Sequence, residues 1–457
     1  MELAHDLPTG VAEWVAAVGG GELSRLDRAV ARRVAWLVDV RRPDGSTLQG
    51  FLRLARTTEA SDLGSLAREA SIVEALAGSD VPVPRVHGRS EDLQTVLYER
   101  VPGRSDLDKL DDIATQHAVM RDFMRVIGQV HNLDVDDLGL DGVVPSHPTT
   151  PEECALGEVD LMLAQGAAFL AGYTEPLLTF GVDWLRRNVP ASIERVSLVQ
   201  GDTGPVNFMF DGDHVSAVID WEWGHLGDPM EDLGNICVRE FWNPSGGLTG
   251  MFDLYAKESG IAYSRSAAQY YRVQQQVRGM VGIHAITTNG ARPSESLAWM
   301  LTYRYVGDRA TCEAIADAMD LELVRPDLPD ADEDGAGVDI LAIGAQHVLD
   351  QFVQPAVGTP FARSCVKDVG VLVQCMDRRR RYGAMLEETE RAELAVLLGE
   401  GVGSARAGLT LLDAALHDGT VDHADALRYL ARRAYRDEWL HSPAVTLYPE
   451  RNWSAID

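Results

Sequence analysis

The chain is poor in the features that mark several large classes of protein. Its five cysteines, Cys154, Cys237, Cys312, Cys365 and Cys375, are odd in number and none belongs to a C-x-x-C pair. Neither a disulfide framework nor a thiolate zinc site is expected. Basic residues are scarce: 41 Lys and Arg against 70 Asp and Glu give a formal net charge of −29. A surface of that sign repels phosphate backbones and anionic bilayers, so nucleic acid and membrane are not expected as partners. Nowhere do about 18 apolar residues run together. The opening "MELAHDLPTG" lacks the basic start and apolar run of a leader. A reducing, cytoplasmic setting is the expectation. Repeats of fixed period and long low-complexity tracts are also missing.

What is present is an ordinary globular composition, 46% hydrophobic and 24% charged over 457 residues, enough for two or three domains with apolar cores. The first hundred residues read as strands and turns with one helix. "ARRVAWLVDVRRPDGSTLQGFLRLAR" holds two β-rich runs around Pro43-Asp44-Gly45, a hairpin signal. "GGGELSRL" reads as a first strand behind a glycine-rich entry. Residues 61–77 carry Leu63, Leu66, Ala70, Val73 and Leu76 at helical spacing, with Ser61 or Asp62 as cap and Pro82 and Pro84 closing the segment. "TVLYERVPG" follows as a strand and turn. Beyond residue 103 the pattern is mainly helical; Val119, Phe123, Ile127 and Val130 share one face. A strand–loop–strand interruption, "SLVQGD…NFMFDGDHVSAVID", turns at Asp211-Gly212, and helices resume from about Glu231 to Asp320. "RPDLPDADEDGAG" reads as an acidic linker. The expected division is therefore a β-rich lobe over 1–98, a mainly helical lobe over 99–324, a linker over 325–337 and an all-helical domain over 338–457.

The interruption carries the chemistry. Transfer of a phosphoryl group from ATP needs a carboxylate to orient the acceptor hydroxyl, Mg²⁺ on the phosphates, and a cation steadying the non-transferred phosphates. In "GDTGPVN", Asp202 and Asn207 have the D-x-x-x-x-N spacing of a kinase catalytic loop. Asp220, thirteen positions after Asn207, ends an apolar strand where a carboxylate can meet Mg²⁺. Magnesium takes hard oxygen ligands, which Asp and Asn supply. Standing alone, the spacing reads equally well as an Asx-turn. Its weight comes from what surrounds it: loop, strand, turn, strand, Asp, then "WEWGHLGDPMEDLG".

This segment resembles the aminoglycoside phosphotransferase and choline kinase family, and most closely the kinase-like domains related to those fused to acyl-CoA dehydrogenases. "YERVPG" (98–103), "IGQVHNLD" (127–134), "WLRRNVP" (184–190) and "IDWEWGHLGDPMEDLG" (219–234) carry the likeness, which covers about residues 20–310. It implies an α+β, protein-kinase-like bilobal fold with ATP and Mg²⁺ as cofactors. Asp202 would orient or deprotonate the acceptor, and Asn207 and Asp220 would hold the metal. Glu99 and Val101 would lie in the adenine-holding hinge. Glu222, Asp228 and Asp232 would brace the loop or stand behind the metal, and the residues themselves read equally as strand-end and helix-start charges. Arg53 stands on the third strand where protein kinases place Lys; it remains cationic and can fork onto phosphate, with Glu69, sixteen residues on, as its partner. The family commonly shows His where Gln200 stands. Gln donates and accepts through its amide, so it can hold backbone, but it cannot change charge. The phosphate-covering loop is expected within 19–29, with Ser24 and Arg25 as donors, although no G-x-G-x-x-G occurs. His131, Trp221 and Trp223 read as core positions.

The tail resembles small helical domains found beside this kinase type, through "GTPFARSCVKDVGVLVQC" and "LAVLLGEG". "DRRRR" (377–381) is the one basic concentration, either a solvated helix face or a seat for an anionic group. The reading is a small-molecule kinase acting on a hydroxyl of an amino-sugar, a hydroxyacyl-CoA or another catabolic alcohol. An amino-sugar would require several acids converging on the pocket, for which "MEDLG" and "VREFWN" supply Glu231, Asp232 and Glu240. The competing reading is a pseudokinase, a nucleotide-binding scaffold, motivated by Gln200, Arg53 and the irregular loop. An all-helical appendage makes a homodimer the mild expectation.

Overall fold

A computed structural model describes residues 7–29, 35–55, 60–289, 296–330, 337–399, 401–445 and 451–456. Its amino-terminal part is a five-stranded antiparallel sheet of order β1-β2-β3-β5-β4, built from β1 (Glu22–Arg28), β2 (Ala35–Arg41), β3 (Thr47–Leu54), β4 (Val86–Ser90) and β5 (Thr95–Glu99). The β2–β3 hairpin turns at Gly45, whose φ of +86° suits the turn, and Asp44 accepts from the Ser46 N–H at 2.9 Å. Two helices accompany this sheet, not one: α1 (Val11–Gly19) and α2 (Ala60–Leu76). In α1, Val11 and Val15 are buried against Trp36, Val38 and Leu52. The helix is short and bounded by glycine, which hides it in a scan for long periodic runs.

The glycine-rich entry has a structural explanation of its own. Gly20 closes α1 in the left-handed region (φ +71°), its N–H bonding to the Ala16 and Ala17 carbonyls. Residues 22–28 are then β1, so the expected phosphate-covering loop over 19–29 is strand for most of its length. Ser24 lies in mid-strand and donates to the Asp39 carbonyl at 3.1 Å, while Arg25 pairs with Asp27 at 2.6 Å. The turn from β1 to β2 falls outside the described residues beyond Ala29, as does most of the acidic linker (331–336). The side chains of Ser61 and Asp62 also fall outside them.

The helical part follows with α3 (Ile113–His131), α4 (Pro151–Gln165) and α5 (Pro176–Arg187). Asp112 caps α3, accepting from Ala114 and Thr115 N–H. The interruption forms β6 (Ser197–Val199), β7 (Phe208–Asp211), β8 (His214–Val218) and β9 (His225–Gly227), paired as β6 with β9 and β7 with β8. Helices resume as α6 (Pro229–Trp242), α7 (Met251–Ser259), α8 (Arg265–Asn289) and α9 (Leu297–Ala318). The tail contributes α10 (Ile340–Val348), α11 (Pro360–Leu398), α12 (Ala405–His417) and α13 (His423–Leu440). A β-rich small lobe beside a helical large lobe is the bilobal kinase-like α+β fold.

By contact the chain forms two compact units: residues 1–157, 190–272 and 454–457 in one, 158–189 and 273–453 in the other. The first holds the sheet, α3 and the β6–β9 interruption. The second is wholly helical, drawing α5 and α9 together with the tail. Among the described residues no helix is long and apolar enough to cross a membrane.

Candidate active site

The site lies entirely within the first unit. Asp202 and Asn207 sit on the loop between β6 and β7, and Asp220 follows β8. The β7–β8 hairpin folds the thirteen-residue separation back on itself: Ile219 N–H bonds to the Asn207 carbonyl at 3.0 Å. Asn207 Nδ2 donates to the Asp202 carbonyl at 2.6 Å and to Asp202 Oδ2 at 2.9 Å. With its nitrogen committed, the amide leaves its oxygen as the atom able to meet a cation. Asp220 has φ +65° and ψ 52°, a left-handed conformation that Asp tolerates better than most residues.

Gln200 ties these two loops together. Its Nε2 donates to the Ile219 and Asp220 carbonyls at 2.9 and 2.8 Å. Its Oε1 accepts from Asp202 N–H at 2.8 Å and from Thr203 Oγ1 at 3.1 Å. The side chain is fully buried, and every hydrogen-bonding direction runs to one of the two loops.

Asp232, on the first turn of α6, holds the same loop from behind. Its carboxylate accepts from Gln200 N–H at 2.9 Å, Gly201 N–H at 3.0 Å and the Thr203 hydroxyl. His131 Nε2 lies 3.1 Å away, and His131 Nδ1 meets the Tyr255 hydroxyl at 2.7 Å. Burial favours the neutral acid, but His131 and the donors outweigh it and hold the Asp232 carboxyl below its ordinary value. Both ring nitrogens of His131 are thus engaged in a fully buried core. Asp228 caps α6 by accepting from Met230 N–H at 2.9 Å, and burial pushes its carboxyl up to about 6.

On the sheet side, Arg53 of β3 is 8% exposed. Its Nη1 reaches Glu69 Oε1 of α2 at 2.5 Å and Asp220 Oδ1 at 3.4 Å, and its Nη2 lies 3.6 Å from Glu222 Oε2. Burial opposes the guanidinium charge, yet Glu69 and Asp220 overcome it and keep Arg53 above its ordinary value. Gly224 lets α2 approach the 221–223 turn, because a Cβ there would lie 2.5 Å from Ile72 Cδ1. Trp221 is fully buried, its indole N–H donating to the Val218 carbonyl at 3.1 Å, and Trp223 donates to Glu222 at 3.1 Å.

The Glu99–Val101 segment leaves the end of β5. Glu99 N–H bonds to the Arg85 carbonyl at 2.7 Å, and its carboxylate accepts from Arg85 N–H at 3.1 Å. Arg100 pairs with Asp39 of β2 at 2.9 Å. Ser24, by contrast, is spent on the β1–β2 ladder.

One residue of the site escaped the sequence reading. Arg239, two turns beyond Asp232 on α6, forks onto Asp202: Nε meets Oδ1 at 2.9 Å and Nη2 meets Oδ2. The seven-residue spacing from Asp232 to Arg239 places both on one helical face, and that was the available signal. Gly204 makes room for it, since a Cβ there would lie 2.6 Å from Arg239 Cβ. The acids considered for recognising a cationic acceptor point elsewhere. Glu231 meets His225 Nε2 at 3.1 Å, Asp232 holds the loop, and Glu240 accepts from Ser245 and Gly247 N–H at 2.7 and 2.9 Å.

Across residues 32–272, more than half of its length, the sequence matches the phosphotransferase enzyme family. The chain belongs to that family. Among curated proteins, this phosphotransferase is similar to a probable acyl-CoA dehydrogenase, IBR3, of Arabidopsis thaliana (31% identity over 38% of this chain and 23% of that one). It is also similar to acyl-CoA dehydrogenase family member 10 of Mus musculus (27% identity over 46% and 20%). It therefore spans less than a quarter of the length of either relative. Among solved structures, a protein of Ralstonia eutropha provisionally described as an aminoglycoside phosphotransferase shares the fold, with a TM-score of 0.51 and 22% identity over 67% of this chain and 96% of the other.

Proposed function

We propose that this phosphotransferase is a Mg²⁺-dependent kinase that transfers the γ-phosphoryl group of ATP to a hydroxyl of a small molecule. The observation that carries the reading is the convergence of Asp202, Asn207 and Asp220 at one end of the β7–β8 hairpin. An amide oxygen and one carboxylate, with phosphates completing the shell, suit the few-ligand octahedral habit of magnesium, which would supply neutralisation of the phosphate charge. Asn207 and Asp220 would hold that ion. Asp202 would align the acceptor hydroxyl and take its proton, and Arg53 would steady the non-transferred phosphates from β3, kept in place by Glu69. The 99–101 segment would hold the adenine, and Gln200 and Asp232 would fix the loop so that Asp202 arrives in register. Glu222 and Asp228 would support it from outside the metal shell.

For the acceptor, the inward commitment of Glu231, Asp232 and Glu240 removes the acids proposed for a polycationic amino-sugar. Together with the likeness to proteins named acyl-CoA dehydrogenases, this favours a hydroxyacyl-CoA or a related catabolic alcohol, in a cytoplasmic setting. A second reading has one specific support: Asp202 is already engaged by Arg239 and Asn207, as a nucleotide-binding scaffold without transfer would allow.

The deciding experiment is a thermal-shift titration with ATP, with and without Mg²⁺, on wild type and Asp220→Ala, followed by an acceptor screen. A ligand bound only by the native state raises Tm with its affinity. A Mg²⁺-dependent rise lost in the variant is expected, with phosphate appearing on a hydroxyacyl-CoA. A normal rise with no product on any acceptor, and no slow ATP hydrolysis sensitive to Asp202→Ala, would select the scaffold. No rise at all would remove the kinase reading.

A further inference from the structure

The tail carries an apolar surface for which the described residues supply no mate. Eight of the fourteen large exposed hydrophobic side chains among the described residues fall within 340–385, about a tenth of the sequence. On α10, Ile340, Leu341, Ile343 and Val348 are 75%, 77%, 50% and 49% exposed, and Phe352 is 64% exposed. Scattered singletons need no explanation, but a contiguous patch does. Leu341, Ala345, Val348 and Phe352 recur at i, i+4, i+7 and i+11, the spacing of a helix face meant for packing.

A second feature lies on the same patch. After Val348 the helix does not continue as α; Leu349–Val353 form a π-helical turn, a geometry that proteins adopt sparingly and mostly where it serves a purpose. Here it carries Phe352, whose ring sets its edge against His347 at 5.7 Å, out into solvent. Beside His347 and Ile343, between α10 and α11, opens a cavity of about 380 Å³ with Val338, Ala342 and Val373 in its wall. The patch thus presents both a projecting aromatic and a recess whose apolar wall is bordered by Gln346, Gln374 and the paired Asp377 and Arg381.

The charge pattern selects the occupant. Over the whole chain acids outnumber bases 70 to 41, so two copies meeting at a typical surface repel. From 340 to 356 the only formal charge is Asp350. Along the adjoining start of α11, Arg363 and Lys367 outnumber Asp368, and Arg380 stands half exposed nearby. Both signs on one patch allow a two-fold axis to set acid against base. A projection and a recess on one patch are what a self-complementary interface requires.

We propose that the face formed by α10, the π turn and the start of α11 is where a second copy of this chain docks, giving a two-fold dimer with Phe352 of each copy against the other's α10–α11 recess. The proposal does not depend on the acceptor or on catalysis. Sedimentation velocity of the full chain from about 1 to about 100 µM tests it, on wild type, Phe352→Asp, Phe352→Ala, Ile343→Asp and, as control, Val396→Asp. Val396 is 84% exposed further along α11. Wild type and Val396→Asp are expected to dimerise alike. Ile343→Asp and Phe352→Asp should weaken the dimer at least tenfold, and Phe352→Ala less, with unchanged far-ultraviolet dichroism and ATP-induced Tm shift. Phe352→Ala keeps the test open should an aspartate variant misfold. A wild type monomeric at the highest concentration, the face being covered by the chain's own segments or by another protein, overturns the proposal. So does a dimer that Phe352→Ala and Ile343→Asp leave untouched.

Discussion

The two units hold their buried carboxylates differently. In the first, the site gathers Glu69, Asp202, Asp220 and Glu222 about Arg53 and Arg239. In the second, Glu175 at the start of α5 is gripped by Arg433 of α13 at 2.6 and 3.2 Å. Arg433 also meets Glu390 at 3.1 Å, and Arg436 forks onto Glu393 of α11 at 3.0 Å on both oxygens. The helical network sets Arg432, Arg433 and Arg436 against Glu175, Glu390, Glu393 and Asp437, its arginines bridging helices. Arg433 overcomes burial and holds Glu175 down to about 2, whereas burial pushes Asp437 up to about 6. Such a buried network, with its forks running between helices, serves to join them. In the first unit Asp220 and Glu222 stand 3.4 and 3.6 Å from Arg53, longer contacts than the forks between helices, as suits groups proposed to meet a ligand.

This contrast can be broken at either end. The largest effect is expected in the site: Asp202→Asn should lower kcat about 10³-fold while leaving the ATP-induced Tm shift within error, read by single-turnover transfer and thermal shift side by side. Next is Arg433→Met, which strands Glu175 in the interior and should cost about 3–5 kcal/mol in urea unfolding, with no change in nucleotide binding if the units do separate work. Gln200→Ala leaves the Ile219 and Asp220 carbonyls without their donor; a loss of about 1–3 kcal/mol is expected, with kcat falling more than KM rises because the loop is misplaced, not emptied. Gln200→His should recover most of kcat.

The smallest effect concerns pH. Asp228 takes its proton more readily in the fold than in the unfolded chain, so it stabilises the fold fully below the ordinary carboxylate range and loses that contribution as pH rises through about 6. Asp228→Asn keeps a helix cap and removes the titration, and should gain at most about 3 kcal/mol above pH 7 with little gain at pH 4. Equal gains at both values would count against burial as the cause.

Much of this was legible in the sequence wherever the information is local. Asp202, Asn207 and Asp220 come together because a tight hairpin, signalled by Asp211-Gly212, returns the chain on itself. The pairing of Arg53 with Glu69 followed from the order of strand and helix. Gln200 holding backbone followed from what an amide can do. What could not be read depends on how a helix face is turned in space. Arg239 meets Asp202 across 37 residues, and Glu231 and Glu240, each beside another charged residue in the sequence, turn inward to His225 and to the 245–247 turn. The glycines at 19–21 looked like a phosphate loop because composition does not say whether a glycine serves a ligand or a helix end. The stripe at 341, 345, 348 and 352 was readable as a packing face, but periodicity names no partner.

Arg53 has a consequence beyond posture. In the free molecule Asp220 already faces a fixed cation that it shares with Glu69 and Glu222, so a metal bound there, as proposed, competes with Arg53 for the carboxylate. Titrated without nucleotide, magnesium should bind Arg53→Met more tightly than wild type, because a like charge beside the ion has gone.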